Sequence, residues 1–167
     1  MPMLTTRPAR RLDIERLYEL FSEQRDIQDE LDPRLHITRF QDDYTAELWI
    51  ASKKILFRGD ELDENHLLIV VENEDEIVGY VDGWWEAHAN PDTRSGRVQS
   101  LVVDAHFGQG GAGTALLEAA MDWFRQHDVQ HIIAEGVPRN HAVQQAFWRA
   151  KGASLLQETF YLPLQGD

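Results

Sequence analysis

Cysteine is absent from the 167-residue chain. Without it the chain can form no disulfide, no cysteine zinc site, no thiol redox centre and no acyl-cysteine intermediate. Proline and glycine are also few, with six and eleven residues beside 43% hydrophobic residues, which excludes a disordered or collagen-like chain. At this length we expect one compact domain over residues 1–167.

Positive charge is scarce as well, with 16 lysines and arginines against 29 aspartates and glutamates and a formal net charge of −13. Since the phosphate backbone of nucleic acids attracts basic surfaces, we expect no nucleic-acid partner. No apolar run follows the basic N-terminus as in a secretory signal, and none approaches the roughly 18 residues of a membrane span. We therefore expect a soluble cytoplasmic protein with no membrane partner.

Hydrophobic periodicity predicts two helices before the main sheet, one from Ile14 to Leu31 and one that ends near Gly59. The later predicted helices cover 114–127 and 143–150. The predicted strands are residues 4–7, 67–71, 77–85, 98–103, 132–137 and 155–162, with Glu72 to Glu76 as a hairpin connection. This order predicts one mixed sheet flanked by helices.

Four glycines, Gly108, Gly110, Gly111 and Gly113, separate the strand at 98–103 from the helix that follows it. Without a Cβ they allow backbone amides to approach a ligand closely. The start of a helix adds N–H groups without partners and the positive end of the helix dipole, both of which favour an anion. The cluster therefore predicts a phosphate or pyrophosphate site, and a flexible connection is the simpler alternative.

Gly108, Gly110 and Gly113 also spell the G-x-G-x-x-G fingerprint of dinucleotide-binding domains, and Glu135 lies 22 residues after Gly113. Such a domain needs several further strand–helix units after the fingerprint. Only one strand, one helix and a terminal strand remain here, which argues against a dinucleotide site.

Residues 65–163 resemble the GNAT superfamily of acyl-coenzyme A N-acyltransferases, and the N-terminal part resembles it in element order only. Gly111 and Gly113 match the family's glycine positions before the helix that receives the coenzyme A pyrophosphate. Leu116 and Leu117 match the apolar pair that follows. The asparagine, alanine-rich helix and aromatic pair of residues 140–153 match the family's second motif in order and spacing.

The resemblance implies an α/β (α+β) fold with a mixed, mostly antiparallel central sheet flanked by helices. It implies direct transfer of an acetyl group from acetyl-CoA to a primary amine of a small molecule or peptide, without a metal. Only one strand fits after Gly152, where relatives often have two, so an edge is left for pairing between chains, which suggests a homodimer. The cofactor-binding residues implied are Leu101, Val102, Val103, Gly108, Gln109, Gly110, Gly111, Ala112, Gly113, Thr114, Asn140, Val143 and Phe147.

Two positions of the glycine and helix motifs depart from the family pattern. Gly108 stands where the family has Arg or Gln, and Gln109 is displaced by one residue. The pair Phe147–Trp148 lacks the tyrosine that often protonates the departing thiolate in the family. These departures keep a second hypothesis open, a non-catalytic acyl-CoA-binding or regulatory module.

A third departure concerns the proton acceptor. Gln99 stands where relatives often carry a glutamate base, and a glutamine cannot accept a proton. An amine acceptor must lose a proton before it attacks. Glu135 is therefore the candidate base, and a solvated carboxylate at a strand end is its alternative.

Acidic residues suggest where an acceptor binds. Asp82 and Glu86 are expected on one strand face with Trp84, where they can attract a cationic acceptor or serve as edge-strand charges. Between Asp60 and Glu76 the chain has eight acidic residues and no lysine or arginine. This run fits a cationic substrate steered by the field, and it fits a solvated face equally.

Overall fold

The computed structural model describes residues 3–38, 45–90, 92–108, 110–138 and 141–164. The chain divides into two compact units, Met1–Gly136 and Val137–Asp167. The single domain expected from the length stays a prediction.

The first unit is built around a five-stranded sheet with the order β1-β4-β5-β6-β7, and a separate hairpin pairs β2 with β3. Its strands are β1 Leu4–Pro8, β2 Phe57–Arg58, β3 Glu61–Leu62, β4 His66–Asn73, β5 Glu76–Ala87, β6 Arg94–Val103 and β7 His131–Ala134. Its helices are α1 Ile14–Leu31, α2 Ala46–Lys54 and α3 Ala112–Gln126, with 3-10 turns at Arg11–Asp13 and Pro33–Thr38.

Within this sheet only β6 and β7 are parallel, and the other neighbouring strands are antiparallel. The prediction of a mixed, mostly antiparallel sheet flanked by helices is therefore confirmed. The parallel pair matters for function, because two parallel strands need a crossover connection. Here that connection contains the glycine cluster and α3.

Helices cover both faces of the sheet. Gly79 and Tyr80 are consecutive on β5, so their side-chain directions point to opposite faces. Tyr80 is fully buried and its ring lies 6.5 Å from that of Trp49 in α2. A Cβ at Gly79 would lie 3.2 Å from Leu116 Cδ1 of α3. Thus α2 lies against one face and α3 against the other, and α1 joins α2 in the same apolar cluster.

Several predicted boundaries are wrong. α2 ends at Lys54, and Gly59, with a φ of +66°, lies instead in the turn of the β2–β3 hairpin. β6 begins four residues before Val98, because its first part, Arg-Ser-Gly-Arg, lacks the apolar run by which strands are recognised. β7 ends at Ala134, and the β4–β5 connection is only Glu74 and Asp75, both with positive φ.

The second unit contains α4, Ala142–Ala150, which confirms the last predicted helix. The predicted strand at 155–162 is wrong, since the described residues 153–164 form no strand. Leu156 and Phe160 in this segment are 76% and 84% exposed. An apolar run predicts burial, but a strand also needs a neighbour to accept its hydrogen bonds, which periodicity does not test.

A bulge interrupts the pairing of β5 with β6. Asp82 pairs with Ser100 but Gly83 pairs with Val98, so the register skips Gln99. A Cβ at Gly83 would lie 2.1 Å from the carbonyl oxygen of Arg97. Only glycine fits there, and this close approach fixes the position of Gln99 on β6.

Gly83→Ala therefore tests the packing that produces the bulge. We expect it to lower the free energy of unfolding by about 3 kcal/mol or more, because two strand backbones must move apart. Gly59→Ala is the matched control, since a Cβ there has open space and costs only the left-handed strain of about 1–2 kcal/mol. Urea unfolding followed by tryptophan fluorescence measures both, and equal losses would contradict the close approach.

Candidate active site

The glycine cluster connects the end of β6 to the start of α3. Gly108 and Gly111 have φ values of +70° and +89°, which strain any residue with a side chain. A Cβ at Gly108 would meet nothing within 4 Å, and one at Gly111 would meet only Leu4 Cδ1 at 3.9 Å. The main chain is therefore open to a ligand at Gly108 and Gly111, whereas a Cβ at Gly110 would lie 2.7 Å from Phe107 Cε1.

The first turn of α3 adds hydrogen-bond donors to this open loop. Gly111 is the N-cap of α3, and its carbonyl accepts the amide of Ala115 at 3.0 Å. The amides of Ala112, Gly113 and Thr114 precede that bond, and a helix start provides them with no intrahelical acceptor. The first turn contains no acidic side chain. These donors and the helix dipole make the turn suitable for an anion.

Side chains brace the beginning of the loop. Glu23 Oε1 in α1 accepts a hydrogen bond from the amide of Ala105 at 2.8 Å. Asp104 Oδ1 accepts one from the amide of His106 at 2.9 Å. Glu23, Asp104 and His106 also bring potential metal ligands within 4.8 Å of one another. Because two of these carboxylate oxygens already hold loop amides, we interpret the group as a brace.

Arg16 extends this brace to the sheet. Its Nη2 donates to Asp104 Oδ2 at 2.9 Å and to the carbonyl oxygen of Ile77 at 3.2 Å. Burial by itself lowers the pKa of the Arg16 guanidinium, but hydrogen bonds to Glu19 and Asp104 outweigh burial and raise it. The charged guanidinium thus connects α1 with the start of β5 and with the start of the glycine loop.

The central strand offers a free edge next to this loop. Leu101, Val102 and Val103 pair with β5 on one side. On the other side, the pairing of β6 with β7 among the described residues stops at Val98 and Ala134. Backbone groups of β6 beyond that point can therefore bind a ligand that takes the place of a strand.

Glu135, the candidate base, lies just after β7 with its side chain 60% exposed. Its Oε1 accepts from Arg97 Nη1 at 2.6 Å, and Arg97 Nε donates to Glu86 Oε1 at 3.0 Å. Glu86 is 44% exposed. One arginine thus joins the two carboxylates, and the Glu86–Arg97–Glu135 cluster keeps a net charge of minus one.

Asp82 shares the face of Glu86, as expected, but its charge serves another purpose. It is 4% exposed and forms an ion pair with Lys53 of α2. Asp82 is therefore neither an edge-strand charge nor open to an acceptor, which corrects the sequence-based interpretation. Lys53 Nζ also lies 3.4 Å from Gln99 Oε1.

Lys53 was missed by sequence reasoning. The one signal is its spacing of four residues from Trp49, which places both on one helix face. Trp49 is buried in the core, and Lys53 Nζ lies 5.4 Å from its ring centroid. A lysine on a core-facing position needs a buried partner. The sequence does not show that this partner is Asp82, because the two residues lie far apart in the chain.

A shallow cleft of about 580 Å³ lies beside Glu86. It is lined by Asn65, His66, Trp84, Trp85, Glu86 and Ala87. The β2–β3 hairpin, with exposed Asp60 and Glu61, precedes this lining in sequence. The guanidinium of Arg94 lies 4.1 Å from the Trp85 ring, so a cation already stacks on one wall residue.

Comparison with known families identifies the family of this chain. The family model described as Acetyltransferase (GNAT) family matches residues 14–152. The protein belongs to the GNAT acetyltransferase family. This confirms the resemblance inferred from Gly111, Gly113 and the second motif.

Solved structures show the same fold. A tetramutant of the BH1408 protein from Bacillus halodurans is 19% identical, with a TM-score of 0.78 over 96% of this chain and 99% of that chain. An aminoglycoside N-acetyltransferase in complex with CoA is 12% identical, with a TM-score of 0.69 over 99% and 97%. Glucosamine-6-phosphate N-acetyltransferase from Arabidopsis thaliana is 15% identical, with a TM-score of 0.64 over 98% and 99%. No curated protein matches the chain.

The other predicted site residues of this GNAT chain are only partly placed. Gln109 and Asn140 lie outside the described residues. Val143 is exposed and Phe147 is half-buried on α4, in the second unit. Their role in cofactor binding stays a prediction. In the part of the chain that is described, no helix is long and apolar enough to span a membrane.

Gly111→Glu tests the glycine loop directly. We expect acetyl-CoA to bind the native protein at micromolar concentration and this variant at least about 100-fold more weakly, because a carboxylate replaces open space beside the amides. Gly59→Glu is the matched control, with the same left-handed strain and the same added charge in another loop. Titration calorimetry measures both, and thermal unfolding verifies the fold. Unchanged binding by Gly111→Glu would refute the site.

Proposed function

We propose that the protein is an N-acetyltransferase that moves an acetyl group from acetyl-CoA to a primary amine of a small molecule or peptide. The observation that carries this proposal is the open main chain at the start of α3 in a chain of the GNAT family. The solved relative that contains CoA supports the choice of cofactor.

The residues present fit a coenzyme A diphosphate. Gly108 and Gly111 leave space where side chains would stand, and the first-turn amides supply donors without competing carboxylates. In the proposed complex, residues 108–114 hold the diphosphate. The free edge of β6 at 101–103 accepts the pantetheine arm by backbone hydrogen bonds.

The transfer proposed is direct and occurs in a ternary complex. The chain has no cysteine to carry the acyl group. The amine nitrogen attacks the thioester carbonyl, the new C–N bond forms, and the C–S bond breaks. Coenzyme A leaves as a thiolate, which needs little acid assistance because a thiol has a pKa of about 8–9. This accommodates the absence of a tyrosine at Phe147–Trp148.

Glu135 is the proposed acceptor of the amine proton, directly or through water. Arg97 donates to its Oε1, which orients the carboxylate. The proton must then reach the other oxygen or a water molecule beside it. The exposed position of Glu135, past the last pairing of β7 with β6, suits contact with an incoming amine.

The acceptor proposed is a cationic amine. The net charge of −13 and the half-exposed Glu86 in the cleft lining favour a negative field there. The solved relatives act, by their names, on aminoglycosides and on glucosamine-6-phosphate. Of these two, a negative field favours the cationic type. Cytoplasmic location, homodimer formation and the absence of nucleic-acid or membrane partners stay proposals from the sequence.

A non-catalytic acyl-CoA-binding module is the second candidate. It is favoured by Gln99, which replaces the glutamate of many relatives, and by the missing tyrosine. Both candidates bind acetyl-CoA, so only turnover separates them.

Thiol release across a panel of amines tests the function and the acceptor class together. We expect native protein to release coenzyme A with cationic diamines at a higher kcat/KM than with neutral or acidic amines. We expect Glu86→Gln to lower kcat/KM for the diamines about 5–10-fold, since a partly exposed charge pair contributes about 1 kcal/mol.

Glu118→Gln, at an exposed position of α3, is the control for the loss of one charge and should leave these rates unchanged. The preference for diamines should weaken with added salt. If acetyl-CoA binds but no amine releases thiol, the binding module is the correct assignment. If acidic amines are preferred, the cationic acceptor is wrong.

A further inference from the structure

We propose that Gln99 is a catalytic hydrogen-bond donor, whose side-chain Nε2 binds the thioester carbonyl oxygen, and that Lys53 is the positioning residue that orients it. This inference rests on the proposed function and adds a role for a position that cannot accept a proton. It assigns Gln99 the stabilisation of negative charge in place of proton removal.

Gln99 occupies the place where this donor is needed. It is the residue that the β5–β6 register skips, and its side chain is exposed. It is also the first residue of β6 beyond the pairing with β7, which stops at Val98 and Ala134 among the described residues. In the proposed complex the thioester lies at this divergence, next to the pantetheine on 101–103.

Lys53 determines which end of the Gln99 amide faces the ligand. An ammonium group has three donors and no acceptor. The atom of Gln99 that faces Lys53 Nζ must therefore be the oxygen, and Oε1 lies 3.4 Å away. The Nε2 group, which is a donor only, therefore points away from Lys53.

Lys53 is itself held in place. Its side chain is 11% exposed and that of its ion-pair partner Asp82 is 5% exposed. Separation of a buried ion pair would leave two uncompensated charges, which is strongly unfavourable. The ring of Trp49 lies beside the ammonium as well. The exposed amide of Gln99 thus rests on a rigid, buried cation.

The chemistry follows from where charge develops. As the amine nitrogen bonds to the thioester carbon, negative charge grows on the carbonyl oxygen, and donors aimed there stabilise the transition state. A cation on Oε1 polarises the amide and strengthens its N–H donors. Gln99 gains and loses no proton. The amine proton goes to Glu135 or water, and coenzyme A leaves as the thiolate.

A glutamate at position 99 would act differently. Its carboxylate would pair with Lys53 and present an acceptor, with no donor, to the carbonyl oxygen. Gln99→Glu therefore distinguishes the two roles, because each role predicts an opposite change in kcat. A base at this position would make the variant faster, and a donor at this position makes it slower.

The experiment compares kcat for thiol release and the acetyl-CoA dissociation constant in variants of the full chain. We expect Gln99→Ala and Gln99→Glu each to lower kcat about 10–100-fold, toward the loss seen for a removed oxyanion donor. Their acetyl-CoA dissociation constants should stay within about 3-fold, because ground-state binding rests on the glycine loop.

Lys53 is tested as the pair variant Lys53→Met with Asp82→Leu, since an apolar pair of similar volume replaces a buried ion pair without leaving a charge. We expect kcat to fall about 10-fold with the melting temperature preserved. Adding Gln99→Ala to the pair variant should lower kcat no further than Gln99→Ala alone, because Lys53 acts through Gln99.

Four results would overturn the inference. Gln99→Glu at or above the native kcat would show a base at this position. Native kcat in Gln99→Ala would show no role for the amide, and additive losses in the triple variant would show that Lys53 acts by another route. Native protein that binds acetyl-CoA without turnover would refute the proposed function itself, and the catalytic role of Gln99 with it.

Discussion

Main-chain N–H groups without an intrahelical acceptor, at the start of α3, are the feature on which the proposed site depends. Just before them, Gly108 and Gly111 adopt left-handed backbone, and a Cβ at either position would meet no atom closer than 3.9 Å. Glu23, Asp104 and Arg16 hold the preceding residues through hydrogen bonds to amides and to β5. The glycines thus follow residues that hydrogen bonds hold in place. This favours an anion site that is already formed before the ligand binds.

A second constraint acts on β6. Its backbone approaches Gly83 so closely that no Cβ fits, and the register skips Gln99 at this point. One residue earlier the pairing with β7 ends. The same short segment therefore opens the sheet for a ligand and directs Gln99 onto Lys53. Packing inside the sheet therefore sets the position of Gln99 relative to the free edge of β6 at 101–103.

The sequence was informative where a pattern is local. Pro33 and the spacing of Ile14, Leu17, Tyr18 and Phe21 predicted α1 with its observed bounds. The glycine cluster was equally informative, because glycine favours the positive φ that Gly108 and Gly111 adopt. The parts that were missed depend on distant partners. The strand at 155–162 failed because an apolar run does not reveal a pairing strand, and Asp82 was misread because its partner Lys53 lies 29 residues away.

The most direct test of the central claim is a crystal structure with coenzyme A bound. The account predicts diphosphate oxygens at hydrogen-bond distance, about 2.7–3.2 Å, from the amides of residues 110–114. It also predicts that the pantetheine arm runs along β6 at residues 101–103. Coenzyme A bound at full occupancy elsewhere, with no phosphate oxygen near the first turn of α3, would contradict it.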